Sequence, residues 1–334
     1  MATHDYVLSN QSGSSFRTDL NNALAAVVSL NSNGSEPSTT YAYMLWADTG
    51  NSVLKMRNSS NNGWVELRQL DGGITMSEDA TINSVTVGKG ANSVAGNTVV
   101  GESALDAAVT GGNNTAIGKQ ALTALTSGTQ NFAGGSSALA ANTTGANNVA
   151  LGYSSLTTNT TASNNVAVGM EALKLNTTGA SNVAVGKDCL EANTTASNNT
   201  GVGFETLKAN TTGSSNVALG SNALNANTTG NYNVAIGYQS LDTNTTGASN
   251  VAVGTDSLTA NTEGDYNTAV GTNTLDANTT ADHNTAFGYA ALGANTTGSH
   301  NVSVGNYSLD ASTTGNRNTA VGYSSLTSAT TADN

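Results

Sequence analysis

One spacing constrains the fold of this chain more than any other feature. From Asn97 onward, the pattern Asn-Val-Ala-Val-Gly or a close variant returns every seventeen residues. Its glycine stands at fourteen positions, with no insertion or deletion between them: 101, 118, 135, 152, 169, 186, 203, 220, 237, 254, 271, 288, 305 and 322. A fixed period of this length is typical of units that stack on their neighbours. Residues 101–334 are therefore predicted to form a repeat structure.

Each unit reads as strand, corner, short strand and turn. With the glycine as position 0, Asn stands at −4 in every unit, mostly Val or Thr at −3, mostly a small residue at −2 and an aliphatic residue at −1. This alternation predicts a short β-strand, and the glycine predicts a corner of positive φ or close backbone approach. Leu stands at +4 in every unit, and Asn-Thr-Thr-Gly or a variant closes the unit with turn chemistry. The stacked asparagines at −4 are expected to hydrogen-bond along a ladder.

The alternation also suggests which columns face inward. We expect the aliphatic column of Val185 and the leucine column of Leu224 to point inward, and the small column of Ala184 and Ala235 to point outward. A small, uncharged outer stripe favours lateral packing of chains, although alanine could instead serve only to ease a tightly coiled strand. Cys189 occupies the small column at +3 and is interpreted as filler.

The energetics require many coils rather than one. A unit buries about two large side chains, worth roughly 1.5–3 kcal/mol each, whereas ordering costs about 1–2 kcal/mol per residue. Backbone ladders and a continuous apolar stripe must offset the difference. The fold class is therefore predicted to be mainly β, a repetitive β-solenoid or β-roll of 17-residue coils, trimeric, with a small α+β N-terminal domain.

Charge and composition exclude several function classes. The net charge is −12, with only ten Lys and Arg residues, which argues against nucleic acid or anionic membrane as partner. The first residues do not show the basic segment and apolar run of a signal peptide. No later segment has the length and hydrophobicity that would predict membrane insertion. The single cysteine cannot form an intrachain disulfide, and no His/Cys cluster has metal-site spacing. We expect no metal and no cofactor.

Residues 1–75 lack the repeat and are predicted to form a separate domain. Helical spacing of apolar residues predicts a short amphipathic helix carrying Phe16, Leu20, Leu24, Val27 and Val28. Three strands are predicted over 41–46, 53–56 and 64–67, with Asn62-Gly63 as a hairpin turn. Residues 76–100 are interpreted as a transition segment, in which 83–88 form an off-register first coil.

The repeat resembles known fibrous proteins. Asn-Val-Ala-Val-Gly with a downstream Leu resembles the head repeats of trimeric autotransporter adhesins, which are trimers of left-handed β-rolls with a usually shorter unit. That resemblance implies that the two aliphatics point into each roll and that the alanine faces neighbouring chains. The longer unit ending in Asn-Thr-Thr-Gly is similar to repeats in bacteriophage tail fibres and covers residues 101–334.

A second resemblance lies in the N-terminal region. The segments HDYVL at 4–8, RTDLNNAL at 17–24 and YAYMLWADT at 41–49, with LKMRN at 54–58 and NGW at 62–64, resemble the amino-terminal region of fibres from marine and cyanobacterial phages. The resemblance implies a homotrimeric fibre of the virion. Residues 1–75 would dock on a phage tail or baseplate/nozzle protein, and the solenoid would project toward a host cell-surface receptor.

An enzyme is a rival hypothesis, because some phage spikes are β-helical hydrolases with paired carboxylates. The acids here are scattered over columns that hold Ser, Thr or Asn in other coils, as Glu171, Asp188, Glu191, Glu205, Asp242, Asp256 and Asp276 show. The three histidines, His4, His283 and His300, are interpreted as far apart. We therefore predict no enzyme and no catalytic residues.

Two further hypotheses stay open from the sequence. A bacterial trimeric adhesin or a glycan- or ice-binding solenoid would share the repeat, although adjacent threonines point to different sides of a strand and do not imply a flat ice-binding face. Aromatic residues recur just after the glycine, at Tyr153, Phe204, Tyr238, Tyr289 and Tyr323. They are interpreted mainly as covers for the corner of the next coil and alternatively as receptor contacts.

Overall fold

The computed structural model describes residues 18, 20, 32, 34–38, 40, 42–69, 79–331 and 333. The chain divides into two compact units, Met1–Asp79 and Ala80–Asn334. The predicted N-terminal helix lies outside the described residues except for Thr18 and Leu20, which are helical. Within the described ranges, no helix is both long and apolar enough to cross a bilayer.

The first unit contains a three-stranded antiparallel sheet. Its strands are β1 (Leu45–Asp48), β2 (Val53–Arg57) and β3 (Trp64–Gln69), in that order across the sheet. The strand predicted from residue 41 begins later, because Tyr43 adopts a left-handed φ of 63° that interrupts extended backbone. Trp46 is buried and packs on Trp64, with ring centroids 5.1 Å apart.

The second unit begins with an antiparallel hairpin. Strands β4 (Ala80–Ile82) and β5 (Val85–Gly88) pair with each other, and β5 pairs antiparallel with β6 (Thr98–Gly101). The interpretation of residues 83–88 as an off-register first coil is therefore wrong. Asn83 and Ser84 both have positive φ, at 49° and 67°, which is the backbone of a two-residue hairpin turn. A 3-10 turn at Ala91–Ser93 follows.

From β6 onward the chain is a β-solenoid of seventeen-residue coils, as predicted. Each strand pairs in parallel with the next at a fixed offset of seventeen, as in Ala167 with Ala184. Fourteen strands thus bound thirteen full coils. After β6 they are β7 (Thr115–Ile117), β8 (Phe132–Gly134), β9 (Val149–Leu151), β10 (Val166–Val168), β11 (Val183–Val185), β12 (Thr200–Val202), β13 (Val217–Leu219), β14 (Val234–Ile236), β15 (Val251–Val253), β16 (Thr268–Val270), β17 (Thr285–Phe287), β18 (Val302–Val304) and β19 (Thr319–Val321).

The interior of the solenoid is built from leucine and alanine, and this reverses one prediction. The leucine column is inward, since it is fully buried from Leu105 to Leu309. The alanine column at −2, including Ala184 and Ala235, is also fully buried. The valines at −3 and −1, such as Val183 and Val185, lie on the opposite face of the strand and are only partly covered. The predicted outward alanine stripe and the predicted inward column of Val185 are therefore both wrong.

The coils after the first hold only small residues at −2. Gly201 is the one glycine of that column, and a Cβ there would lie 2.6 Å from the Cys189 sulfur and 3.7 Å from Leu190 and Leu207 Cδ1. From β7 onward the −2 column holds only Ala, Gly201 and Ser303, so the interior there has room for a small side chain alone. The alternation of a strand shows which residues share a face, but the coil width decides which face is inside.

Two asparagine ladders fill the remaining interior. At −4, as predicted, the Asn182 backbone N–H donates to Asn165 Oδ1 at 2.9 Å, and Asn182 Nδ2 donates to the Ala196 carbonyl at 2.9 Å. At +7, inside the segment interpreted as turn chemistry, Asn176 Nδ2 donates to Asn159 Oδ1 at 2.9 Å. These buried amides form hydrogen bonds with backbone groups that burial removes from contact with water.

The corner glycine has left-handed backbone in every coil from Gly118 onward. Gly220 has φ 132°, and a Cβ there would lie 2.4 Å from the Gly237 carbonyl oxygen, which explains why the column is invariant. The leucine at +4 also has positive φ, as Leu224 shows at 54°. The predicted second short strand is therefore a series of turns, although its amides still bond the next coil, with Leu224 N–H donating to the Ser240 carbonyl at 2.9 Å.

Candidate assembly and binding surfaces

An apolar stripe runs along the outside of the strands. Position −1 holds Val, Ile, Leu or Phe in all units but one, and position −3 holds Val or Phe in eight units and Thr in six; both columns are half-buried or exposed. Its most exposed members include Ile117, Leu151, Val217, Leu219 and Phe287. We call these two columns the outer apolar stripe. With about 4.8 Å between parallel strands, it extends roughly 60 Å, which is unusual for a surface that faces only water.

Charged residues at +2 and +5 lie on one surface of the middle coils. The Lys174 ammonium lies 3.1 Å from Glu171 Oε2 and 3.8 Å from Glu191 Oε1 on the next coil. The hydrogen bond to Glu171, partly offset by burial, raises the pKa of Lys174. Sequence reasoning treated these acids as scattered, but positions +2 and +5 are neighbours across coils.

The same network continues to the following coil. Lys208 Nζ lies 2.6 Å from Glu205 Oε1 and 3.7 Å from Asp188 Oδ2, and Lys187 Nζ lies 2.9 Å from the same Asp188 oxygen. The bond to Glu205 raises the pKa of Lys208. We call this set the charged ladder; its members are Glu171, Lys174, Lys187, Asp188, Glu191, Glu205 and Lys208.

Three acids of the charged ladder are close enough to share a cation. Carboxylate oxygens of Glu171, Asp188 and Glu191 lie within 4.8 Å of one another. However, the Lys174 ammonium already contacts two of them. A lysine therefore supplies the counter-charge at this position, and we assign no metal to it.

The aspartates of later coils lack such lysines. Residues 222–334 contain no lysine, and Arg317 is their single arginine, against eight acids. Burial, followed by the charge of Asp256, raises the pKa of Asp242. Burial is also the largest influence that raises the pKa of Asp276. This part of the surface is therefore acidic and largely unneutralised.

The aromatic residues that follow the glycine remain about half exposed. Tyr153, Phe204, Tyr238 and Tyr289 are all exposed, so they do not simply seal the next corner. In the last coils, rings touch edge to face, with Tyr289 and Tyr307 centroids 5.2 Å apart. Covering of the neighbouring coil and contact with a partner are both compatible with this partial exposure.

A second aromatic column stands at +12, one residue before the buried asparagine. The rings of Tyr266 and His283 stack at 5.0 Å with planes 5° apart, and His283 and His300 stack at 5.0 Å. The two histidines are therefore neighbours rather than far apart, because both occupy +12 on adjacent coils. Their spacing of seventeen residues was the signal in the sequence.

Cys189 lies in the interior and is fully buried. Burial raises the pKa of its thiol to about 12, so the reactive thiolate is suppressed at neutral pH. This environment agrees with the interpretation of Cys189 as filler.

No protein-family model, curated protein or solved structure matches the chain.

Proposed function

We propose that this chain is a structural viral appendage, a homotrimeric phage tail fibre. Residues 1–75 attach it to a phage tail or baseplate/nozzle protein of the virion, and the solenoid projects toward a host cell-surface receptor for adsorption. The outer apolar stripe is the observation that carries the proposal. A row of large apolar residues at −1, interrupted only at Gly134, beside a −3 column of valine, phenylalanine and threonine, favours burial of a thin rod against identical rods.

Three copies around one axis would cover the stripe of every chain. Position −1 is Val, Ile, Leu or Phe in every coil except at Gly134, and position −3 is Val, Phe or Thr, so three solenoids in register would form a largely apolar centre. The virion-attachment role of residues 1–75 is supported by their resemblance to phage fibre N-terminal regions. An acidic exterior, with a net charge of −12, would keep such rods apart except along the stripe.

An ice-binding role is less well supported by the hydroxyl groups of the turn. The threonine at +8 donates its hydroxyl to the next coil, as in Thr177 Oγ1 to the Thr194 carbonyl at 3.0 Å. The same bond recurs at Thr211 and Thr245. Hydroxyls committed to the backbone in this way cannot donate to a lattice of water.

The mass of the full-length protein in solution tests the assembly. Light scattering is expected to give three times the chain mass, and the double variant Val234→Glu/Val251→Glu is expected to give a monomer with unchanged circular dichroism. Thr246→Glu is the matched control and should stay trimeric, because the same +9 column already holds Glu263. A monomeric wild-type protein, or a trimeric double variant, would contradict the proposal.

The attachment role needs a separate measurement. An antibody raised against the solenoid is expected to decorate the tails of intact particles from the phage that encodes the chain, as seen by electron microscopy. Labelling that is absent from particles but present on bacterial cells would favour the adhesin hypothesis instead.

A further inference from the structure

The +12 column contains a gap between two exposed tyrosines. Tyr232 and Tyr266 are 68% and 58% exposed, and Ser249 occupies the coil between them. All three have left-handed backbone, with φ between 57° and 60°. Their backbones are in register, because Ser249 N–H donates to the Asn231 carbonyl and Tyr266 N–H to the Ala248 carbonyl. The two tyrosines are therefore separated by two coils along one line.

The orientation of Tyr266 leaves one ring face available. Its ring stacks on His283 with planes 5° apart, so one face is covered by the imidazole. The other face is directed toward the coil of Ser249, whose side chain is small. Tyr232 has small neighbours on both sides in the column, Ser215 and Ser249, in agreement with its high exposure.

The separation matches the thickness of a sugar between two rings. Two coils correspond to about 9.6 Å at roughly 4.8 Å per coil. A ring midway between the two coils would lie about 4.8 Å from the level of each. This is close to the 5.0 Å at which the rings of Tyr266 and His283 stack in adjacent coils. Tyrosine suits such a ligand because its apolar ring can cover the C–H groups on the face of a pyranose, while its hydroxyl can hydrogen-bond a sugar hydroxyl.

A carboxylate beside the gap can accept a hydrogen bond from a ligand hydroxyl. Asp265 Oδ1 accepts the Ala248 backbone N–H at 2.6 Å, which fixes the side chain. Among the described residues, none donates to Asp265 Oδ2. Because residues 222–334 carry eight acids and Arg317 alone as counter-charge, phosphate, sulfate and uronate groups are disfavoured there.

We propose that Tyr232 and Tyr266, with Ser249 between them, form a slot that binds a neutral hexose of a glycan. In this slot Asp265 accepts a hydrogen bond from a sugar hydroxyl. As a receptor contact this slot rests on the proposed function, but as a binding site it belongs to a single chain. It is distinct from the outer apolar stripe, which lies at −3 and −1.

Saturation-transfer difference NMR on the full-length protein tests the slot. The probes are methyl α- and β-glycosides of glucose, galactose and mannose, and N-acetylglucosamine, with glucose 6-phosphate as the anionic comparison. Wild-type protein is expected to transfer saturation to the ring protons of at least one neutral probe and not to the phosphate. Absence of transfer to every neutral probe overturns the proposal.

Three variants separate a slot from general stacking. Tyr232→Ala and Tyr266→Ala each remove one wall, and Ser249→Tyr fills the gap while extending a column that already stacks in later coils. Each is expected to weaken binding roughly tenfold or more. Tyr238→Ala, in the column after the glycine, is the control and should bind as wild type. Retained binding by Ser249→Tyr, or an equal loss in Tyr238→Ala, overturns the slot.

The same samples distinguish failure of the slot from failure of the fibre. Light scattering on each sample reports the assembly, and circular dichroism reports the fold. A trimer without saturation transfer would refute the slot alone, whereas a monomer that binds sugar would refute the fibre alone. Binding of oligolysine in place of the glycosides would make this surface a site for cationic protein and would also overturn the proposal.

Discussion

The inward and outward columns of the solenoid obey different rules. Inside, the positions −4, −2, +4 and +7 hold almost the same residue in every coil. Outside, the same backbone carries lysine and glutamate between residues 171 and 208, and aspartate with tyrosine after residue 222. The comparison teaches that stacking determines the interior, because each residue there must fit its copy seventeen residues away. The exterior is free to vary, and we place the functional surfaces on it.

The largest loss of stability is expected when a charged residue replaces a leucine of the buried +4 column. Leu224→Asp is expected to destabilise the solenoid by more than about 4 kcal/mol, because it loses a buried leucine and leaves an unpaired carboxylate inside. Thermal unfolding followed by circular dichroism measures the effect. Leu326→Asp is the matched control, since Leu326 is 42% exposed in the last coil, and it should cost below about 1 kcal/mol. Equal effects at both sites would break the comparison.

The corner glycine tests close approach between coils. Gly220→Ala is expected to cost roughly 3 kcal/mol or more, because its φ of 132° strains an alanine and the new Cβ would meet the Gly237 oxygen at 2.4 Å. Gly322→Ala shares the backbone strain, with φ 123°, but has nothing within 4 Å. It should cost about 1 kcal/mol, and chemical denaturation compares the two. A Gly322→Ala cost as large as that of Gly220→Ala would assign the whole effect to φ.

The fit between Cys189 and Gly201 tests packing inside one layer. Gly201→Ala is expected to cost about 1–3 kcal/mol, since its Cβ would lie 2.6 Å from the sulfur. Cys189→Ala in the same chain should recover most of that loss, giving a coupling of at least about 1 kcal/mol in a double-mutant cycle. Additive effects of the two changes would show that the residues do not share a space.

The smallest effects are expected outside, where removal of one carboxylate charge should have opposite signs in the two charged stretches. The folded-state pKa of Asp242 and Asp276 is raised, so their contribution to stability is present below the unfolded pKa and is lost as pH rises through the folded pKa. Asp242→Asn should therefore stabilise at pH 7, by less than about 1 kcal/mol for a partly exposed group. Glu171→Gln, which removes a partner of Lys174, should destabilise slightly. Melting temperatures at pH 7 decide the signs, and the same sign for both variants would contradict the distinction.

Much of the fold could be predicted from the repeat, but its inside and outside could not. The spacing gave the coils, the corner glycine, the inward leucine and the ladder of Asn182 with Asn165. An alternating strand such as Val183–Val185 places two residues on one face and one on the other, whichever face is buried. The deciding quantity is the coil width, which appears in the sequence only indirectly, as the single Gly201 opposite the single Cys189.

The surface contacts were harder to predict because they join residues one period apart. Tyr266, His283 and His300 stack only because they share +12, and Lys174 meets Glu191 through the same seventeen-residue spacing. Both sets follow from the positions that these residues share or adjoin within the seventeen-residue unit. The positive φ of Leu224 carries no such signal, because leucine is rare in left-handed backbone.

The hydrogen bonds between successive coils run along the rod, at right angles to the path of the chain. A pull on the two ends therefore loads these bonds one layer at a time, as in peeling, rather than all together. Each layer that yields would release seventeen residues, about 58 Å of slack at roughly 3.4 Å per residue. Under tension the solenoid would lengthen in equal steps as successive coils unfold. Each step would dissipate energy, so the solenoid would extend gradually rather than break at one force.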